Sequence, residues 1–289
     1  MIILNEKEYA EECLKSKVIN NKPFITLSIL AKYYYHYCGY KKKKITELLI
    51  DYINKYYPHY SSNKSSWDEN IEKLASNAGK FTLFEIDGVW ITKAELETIQ
   101  NIHNKVLERL AFTMLCLAKL NNIKNPQNQG WVNTDVKEIF SLARISCSVV
   151  NRYEQLGMLN QIGLLEFPKK NDNLSSKVTF IDNDSEKILF ISDFRELGYE
   201  YWKFIGGNFT RCYDCGILFR NNKAKTKKYC VSCAGYSPME TKTIICVDCG
   251  KEIKVKSMNQ KTKRCPDCQY EHEKEEKKRW YYKNKYKKG

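Results

Sequence analysis

Histidine is scarce in this sequence, with four among 289 residues, and His36, His59, His103 and His272 form no cluster with metal-ligand spacing. None lies between Gly206 and Glu271, where paired cysteines crowd the chain, so a nuclease of the HNH type lacks the histidines its base and metal require. The sequence also has no GxxxxGKS or GxxxxGKT loop, no HExxH, no GxSxG and no GxGxxG. The common signatures of phosphate-loop, zinc-protease, α/β-hydrolase and dinucleotide chemistry are therefore missing. An Asp/Glu site assembled from distant residues, as in transposases with a terminal zinc ribbon, leaves no local signature and is the enzyme alternative. No window approaches the 18 or more apolar residues of a membrane span, and the opening MIILNEKEYAEE turns acidic where a signal peptide stays apolar.

What is present is basic charge and cysteine. Lys plus Arg number 48 against 34 Asp plus Glu, a net charge of +14, and 43% of residues are hydrophobic, enough for one or two buried cores. From Arg211 onward there are 21 basic and 9 acidic residues, so +12 of the charge belongs to the last quarter of the chain. A polyanion is the first partner this implies. The expected setting is cytoplasmic and reducing, without a membrane, where paired cysteines bind metal more often than they form disulfides.

Eight of the twelve cysteines share that last quarter. CYDC (Cys212, Cys215) is followed after fourteen residues by CVSC (Cys230, Cys233), and CVDC (Cys246, Cys249) after fifteen by CPDC (Cys265, Cys268). Two intervening residues let one tight turn aim both sulfurs at a single ion, and Gly216 and Gly250 permit the positive φ that such knuckles use. Two four-cysteine structural zinc sites are expected, paired sequentially within each repeat, with cross-bracing as the alternative. Each repeat is too small for a core, so metal would supply its folding free energy. Cys13, Cys38, Cys116 and Cys147 are isolated and read as small hydrophobes.

Hydrophobic periodicity predicts an α+β, mostly helical fold. Residues 1–80 read as a helical domain: an apolar run from Pro23 stopping before Gly39, a second from Ile45 to Ile53 ending at Pro58, and a third helix with capping-box spacing at Ser66 and Glu69. Lys41 to Lys44 sit at a helix junction, where a charge run is commonly a solvated face. Residues 81–205 read as a winged helix-turn-helix. A hairpin of 81–86 with 89–91 turns at Asp87-Gly88, and a long helix opens at Thr92 with an apolar stripe from Leu96 to Leu117; His103 falls within this helix without a partner and reads as structural. Two short helices follow over 131–145 and 146–163, then strands near 164–167, 177–182 and 187–191, with 168–176 as the wing. Residues 206–243 and 244–289 read as the two zinc modules, the second ending in a basic helix.

On the second short helix, Val149, Tyr153 and Leu156 are spaced to face the core, which leaves Ser148, Asn151, Arg152 and Gln155 as a polar reading face. Arg can bridge guanine O6 and N7, and Asn or Gln can pair with adenine N6 and N7. Arg144, Lys169, Lys170 and Lys177 are the neighbouring candidates for DNA contact, the wing lysines through phosphates. The turn at Ile145-Ser146 lacks a glycine, and Gly157 marks a possible end of the helix. In the zinc modules the candidates are Lys227, Lys228, Lys263 and Arg264; in the terminal helix they are Lys278, Arg279 and Trp280, which combine charge with a stacking surface.

GWVNTDVKEIFSLARI, LLEFPKKNDNLSSKVTFID and ISDFRELGYEYWKFIGGNF running into CYDCG resemble uncharacterised winged-helix plus tandem zinc-ribbon proteins of phages and mobile elements in low-GC Gram-positive bacteria. The resemblance covers most of the chain and carries over no functional residue. The expected function is a zinc-containing, non-enzymatic protein binding double-stranded DNA, a regulator of transcription or replication. The alternative is an adaptor that docks its zinc ribbons on RNA or a host protein complex.

Overall fold

The computed structural model describes residues 2–20, 22–168, 175–235, 241–256 and 262–285. It is α+β, about 52% helix and 12% strand. The chain divides into two compact units: residues 1–210 with 217–226, and residues 211–216 with 227–289.

The first unit holds two hydrophobic cores. The N-terminal one is built by α1 (Glu6–Ser16), α2 (Pro23–His36), α3 (Lys42–Tyr56) and α4 (Lys64–Asn77). Pro23 occupies the first turn of α2, where its missing N–H costs no hydrogen bond. Leu27, Leu30, Ile45, Leu49, Ile53 and Ile71 are fully buried at its centre. The Tyr52 hydroxyl donates to the carbonyls of Cys13 (2.8 Å) and Val18 (3.0 Å), tying α3 to the end of α1. The Ser66 capping position is corrected: α4 begins two residues earlier, at Lys64, and Ser66 lies inside it.

The second core begins with β1 (Val89–Thr92), α5 (Lys93–Gln100) and α6 (Lys105–Lys124). The single long helix expected from Thr92 is two helices. Asn104 caps α6 by accepting from the N–H groups of Val106 (3.0 Å) and Leu107 (3.3 Å), and His103 just before it has φ 53°, so the chain changes direction there. Every residue of α6 from Leu107 to Leu120 is buried, as suits a central helix covered on all sides.

Around α6 stand β2 (Trp131–Val132), α7 (Val136–Leu142), α8 (Val149–Gln161), β3 (Leu165–Glu166), β4 (Ser176–Val178) and β5 (Lys187–Ile191). Strands β2, β4 and β3 form one antiparallel sheet in that order, with Trp131 opposite Lys177 and Glu166 opposite the same Lys177. The helix expected over 131–145 is corrected: its first residues form β2, and Asp135 caps α7 four residues further on. The expected hairpin at Asp87-Gly88 does not form. Strand β1 pairs instead with β5, Trp90 opposite Phe190, while Glu6 and Leu4 exchange backbone hydrogen bonds with Phe84 and Ile86.

Helix α9 (Leu197–Phe204) closes this core against α6, and β6 (Phe209–Arg211) pairs with β7 (Leu218–Arg220). Phe209 packs its ring on Tyr199 (4.9 Å) and Trp202 (6.1 Å), and Leu218 is buried. Residues 206–210 and 217–226, assigned by sequence to a zinc module, therefore belong to the first unit. The second unit contains the hairpin β8 (Thr241–Ile245) and β9 (Glu252–Lys256), then α10 (Pro266–Lys285). Among the described residues no helix is long and apolar enough to cross a membrane.

Candidate metal centres and nucleic-acid interface

Cys212, Cys215, Cys230 and Cys233 bring their sulfurs within 4.8 Å of one another, and Cys246, Cys249, Cys265 and Cys268 do the same. The grouping is sequential, one site per repeat. Within them, the Cys215–Cys230 and Cys249–Cys265 sulfurs are each 3.7 Å apart. That is far beyond the roughly 2.05 Å of a disulfide. It matches the edge of a sulfur tetrahedron around zinc, about 3.8 Å for a Zn–S bond of about 2.3 Å.

Local backbone explains how the two repeats reach one geometry. Gly216 and Gly250 adopt φ 67° and 71°, and each donates its N–H back to the carbonyl of the first cysteine of its knuckle, Cys212 (2.9 Å) and Cys246 (3.0 Å). In both sites the third cysteine donates its N–H to the first sulfur, Cys230 to Cys212 and Cys265 to Cys246, at 3.3 Å. Burial pushes the Cys212 thiol up, but the N–H groups of Cys215 and Cys230 outweigh it and bring the thiol down to about 6. The N–H groups of Cys265 and Cys249 bring Cys246 down to about 6 as well. Neighbouring thiols hold the last cysteine of each site above its usual range: Cys215 and Cys230 act on Cys233, and Cys265 and Cys249 on Cys268. Four crowded sulfurs cannot all become thiolates without a cation. The donor set therefore fits a soft divalent metal such as zinc, with no coordination position left open for water.

Of the basic candidates in this unit, Lys227, Lys228 and Lys263 are exposed, whereas Arg264 is paired with Asp248 at 2.6 Å. Helix α10 includes Cys268 in its first turn, so it starts on the metal site instead of after it. Lys278 and Arg279 are exposed on it, Arg279 with Glu275 at 3.5 Å, and Trp280, Tyr281 and Tyr282 are 68%, 56% and 48% exposed.

In the first unit, α7 and α8 are joined by a turn in which Arg144 supplies the positive φ (55°) that a glycine would commonly provide. The arginine is held there. Its guanidinium is paired with the buried carboxylate of Glu196 and lies 5.4 Å from the Tyr199 ring centre. Arg109, which the sequence did not single out, donates Nη1 to the Arg144 carbonyl at 2.7 Å and stacks on Trp202 at 4.0 Å. Gly198 lets α9 approach the turn so closely that a side-chain carbon there would fall 2.0 Å from the Ala143 carbonyl.

Ser148 caps α8 by accepting from the Asn151 N–H (3.2 Å), and its hydroxyl donates to Asn151 Oδ1 (2.9 Å). The expected facing of α8 is corrected. Val149 and Tyr153 are exposed, by 60% and 43%, while Leu156 and Leu159 are the residues that reach the core. Arg152 and Gln155 lie one turn before those leucines and are half-buried; the Arg152 guanidinium sits 6.0 Å from the Phe140 ring, and Arg152 Nε and Gln155 Oε1 are enclosed without a partner. Gly157 does not end the helix, which runs on to Gln161. Lys177 pairs across the sheet with Glu166 at 3.4 Å, and Lys169 and Lys170 lie outside the described residues. Of the isolated cysteines, Cys13 and Cys116 are buried, Cys147 is half-buried and Cys38 is exposed. No protein-family model, curated protein or solved structure matches this chain.

Proposed function

We propose that this is a zinc-containing protein that binds double-stranded DNA, acting as a regulator of transcription or replication, in keeping with the resemblance to mobile-element proteins. The observation that carries the reading is the element order of the second core. Helix α6, strand β2, helices α7 and α8, then the β3–β4 hairpin, with the sheet ordered β2-β4-β3, follow the order of a winged helix, and α8 comes where such domains carry their recognition helix. The two four-cysteine groups support zinc as a structural component, and the +12 charge of the last 79 residues supports a polyanionic partner.

Zinc-loaded, full-length protein tested against a random duplex pool over a range of salt should retain duplex, with log affinity falling steeply and linearly against log salt as phosphate counterions are released. No retention at low salt overturns the reading. The adaptor reading has one observation in its favour: Trp90, Ile188 and Phe190 are 45%, 43% and 39% exposed on the β1–β5 ribbon, an apolar face that suits a protein partner.

A further inference from the structure

We infer that α8 reads duplex DNA through the 5-methyl groups of thymine, using an outward face of Val149, Val150, Tyr153 and Gly157; this rests on the DNA-binding reading. Val149 and Val150 are 60% and 66% exposed, and Tyr153, one turn along, is 43% exposed. Glycine follows at 157, one turn further on the same face. In a helix interior, glycine costs stability relative to alanine. Packing does not account for it here, because a side-chain carbon at Gly157 would meet nothing within 4 Å. A bare backbone between exposed apolar groups permits close approach of another molecule.

The hydrogen-bonding groups point to the same chemistry. Arg152 and Gln155 lie on the inward arc with Leu156 and Leu159, so the side chains able to grip guanine or adenine bidentately are turned from the outward face. Asn151 is exposed, but its Oδ1 already accepts from Ser148. Glu154 is exposed beside this face; the face itself, Val149, Val150 and Tyr153, offers aliphatic and aromatic carbon, and the one apolar group on the base edges of the major groove is the thymine methyl.

Charge identifies duplex DNA as the occupant. At the α7–α8 junction, Lys137, Arg144 and Arg152 line a notch of about 350 Å³ with Ser141 and Ser146, beside the positive end of the α8 dipole. Arg144 answers Glu196, while Lys137 and Arg152 have no ion pair among the described residues. A phosphate at this notch would flank a groove occupied by α8. The face itself is a few side chains, against the roughly 20–30 residues a side of a specific protein interface.

The test uses the duplex pool retained by the zinc-loaded full chain, amplified once with thymidine and once with deoxyuridine triphosphate, so that the two pools differ only in the methyl groups. The deoxyuridine pool should bind about fourfold more weakly for each thymine methyl that α8 covers. The Val149→Ala/Val150→Ala double variant should discriminate less between the two pools than the parent does, and Gly157→Ala should melt at a higher temperature yet bind more weakly. Equal affinity of the parent protein for the two pools, or unchanged binding by the double variant, overturns the methyl readout while leaving DNA binding intact. Failure to retain any duplex overturns the DNA-binding reading and this inference together.

Discussion

Arg109 Nη1 donates to the backbone carbonyl of Arg144 at 2.7 Å, so a buried side chain of the central helix holds the turn that aims α8. The same guanidinium bonds to the Lys105 carbonyl and stacks on Trp202, which links α6, the α7–α8 turn and α9 at one point. Arg109→Met keeps much of the apolar stem but leaves the Arg144 carbonyl without this donor. We expect destabilisation of about 1.5–3 kcal/mol, the range for hydrogen bonds to charged groups. Urea unfolding of parent and variant would measure it, and an unchanged midpoint would remove Arg109 from this role.

The two metal sites should melt on their own. Among the described residues of this unit the buried apolar ones are Cys212, Cys230, Cys246 and Cys265, so its core is the two cysteine groups and metal ligation would supply its folding free energy. Native mass spectrometry should find two zinc ions per chain. A strong chelator should abolish protection of this unit from hydrogen exchange while the α6 amides stay protected. Replacing Cys230 with serine should remove one ion and leave the second site filled, because the two groups share no ligand.

Lys119 Nζ lies 2.6 Å from Glu95 Oε1 with both side chains almost wholly buried. Glu95 also accepts the N–H groups of Thr92 (2.8 Å) and Asp182 (2.9 Å), so it fastens the capping box of α5 to the strand-end loop before β5. Lys119→Met strands that carboxylate in the core. Breaking a buried pair from one side costs about 3–5 kcal/mol. A thermal melt should register it as a large fall in Tm.

Much of this is legible in the sequence, and the rest fails for identifiable reasons. Cysteine spacing locates both four-cysteine groups because a CxxC pair is a local constraint on a tight turn. Periodicity finds α2 and α3 for the same reason. It fails at 101–104 because Leu96, Ile99, Ile102 and Val106 stay in helical phase across a break made by one capping asparagine and one left-handed histidine. The Asp87-Gly88 signal misleads because β1 finds its partner about a hundred residues away, at β5, and no local pattern encodes that choice. The inward turn of Arg152 is hidden because a spacing of three and four fits either face of α8; packing against Phe140 and the leucines decides it.

Variants at Lys137 and Arg144 separate a phosphate contact from a structural arginine at the same notch. Lys137 and Arg144 both line it, although of the two only Arg144 is a DNA-contact candidate from sequence. Arg144 is committed to Glu196, which is 2% exposed, so removing the arginine leaves a buried carboxylate unanswered. Lys137 has no ion pair among the described residues and its N–H serves only the Asp135 cap. Arg144→Ala should therefore lower Tm and weaken DNA binding through the displaced turn. Lys137→Ala should leave Tm unchanged, weaken binding to all duplexes alike, and reduce the magnitude of the log affinity against log salt slope by about 1. If Lys137→Ala binds with the parent's slope, the notch is not a phosphate contact, whatever α8 reads.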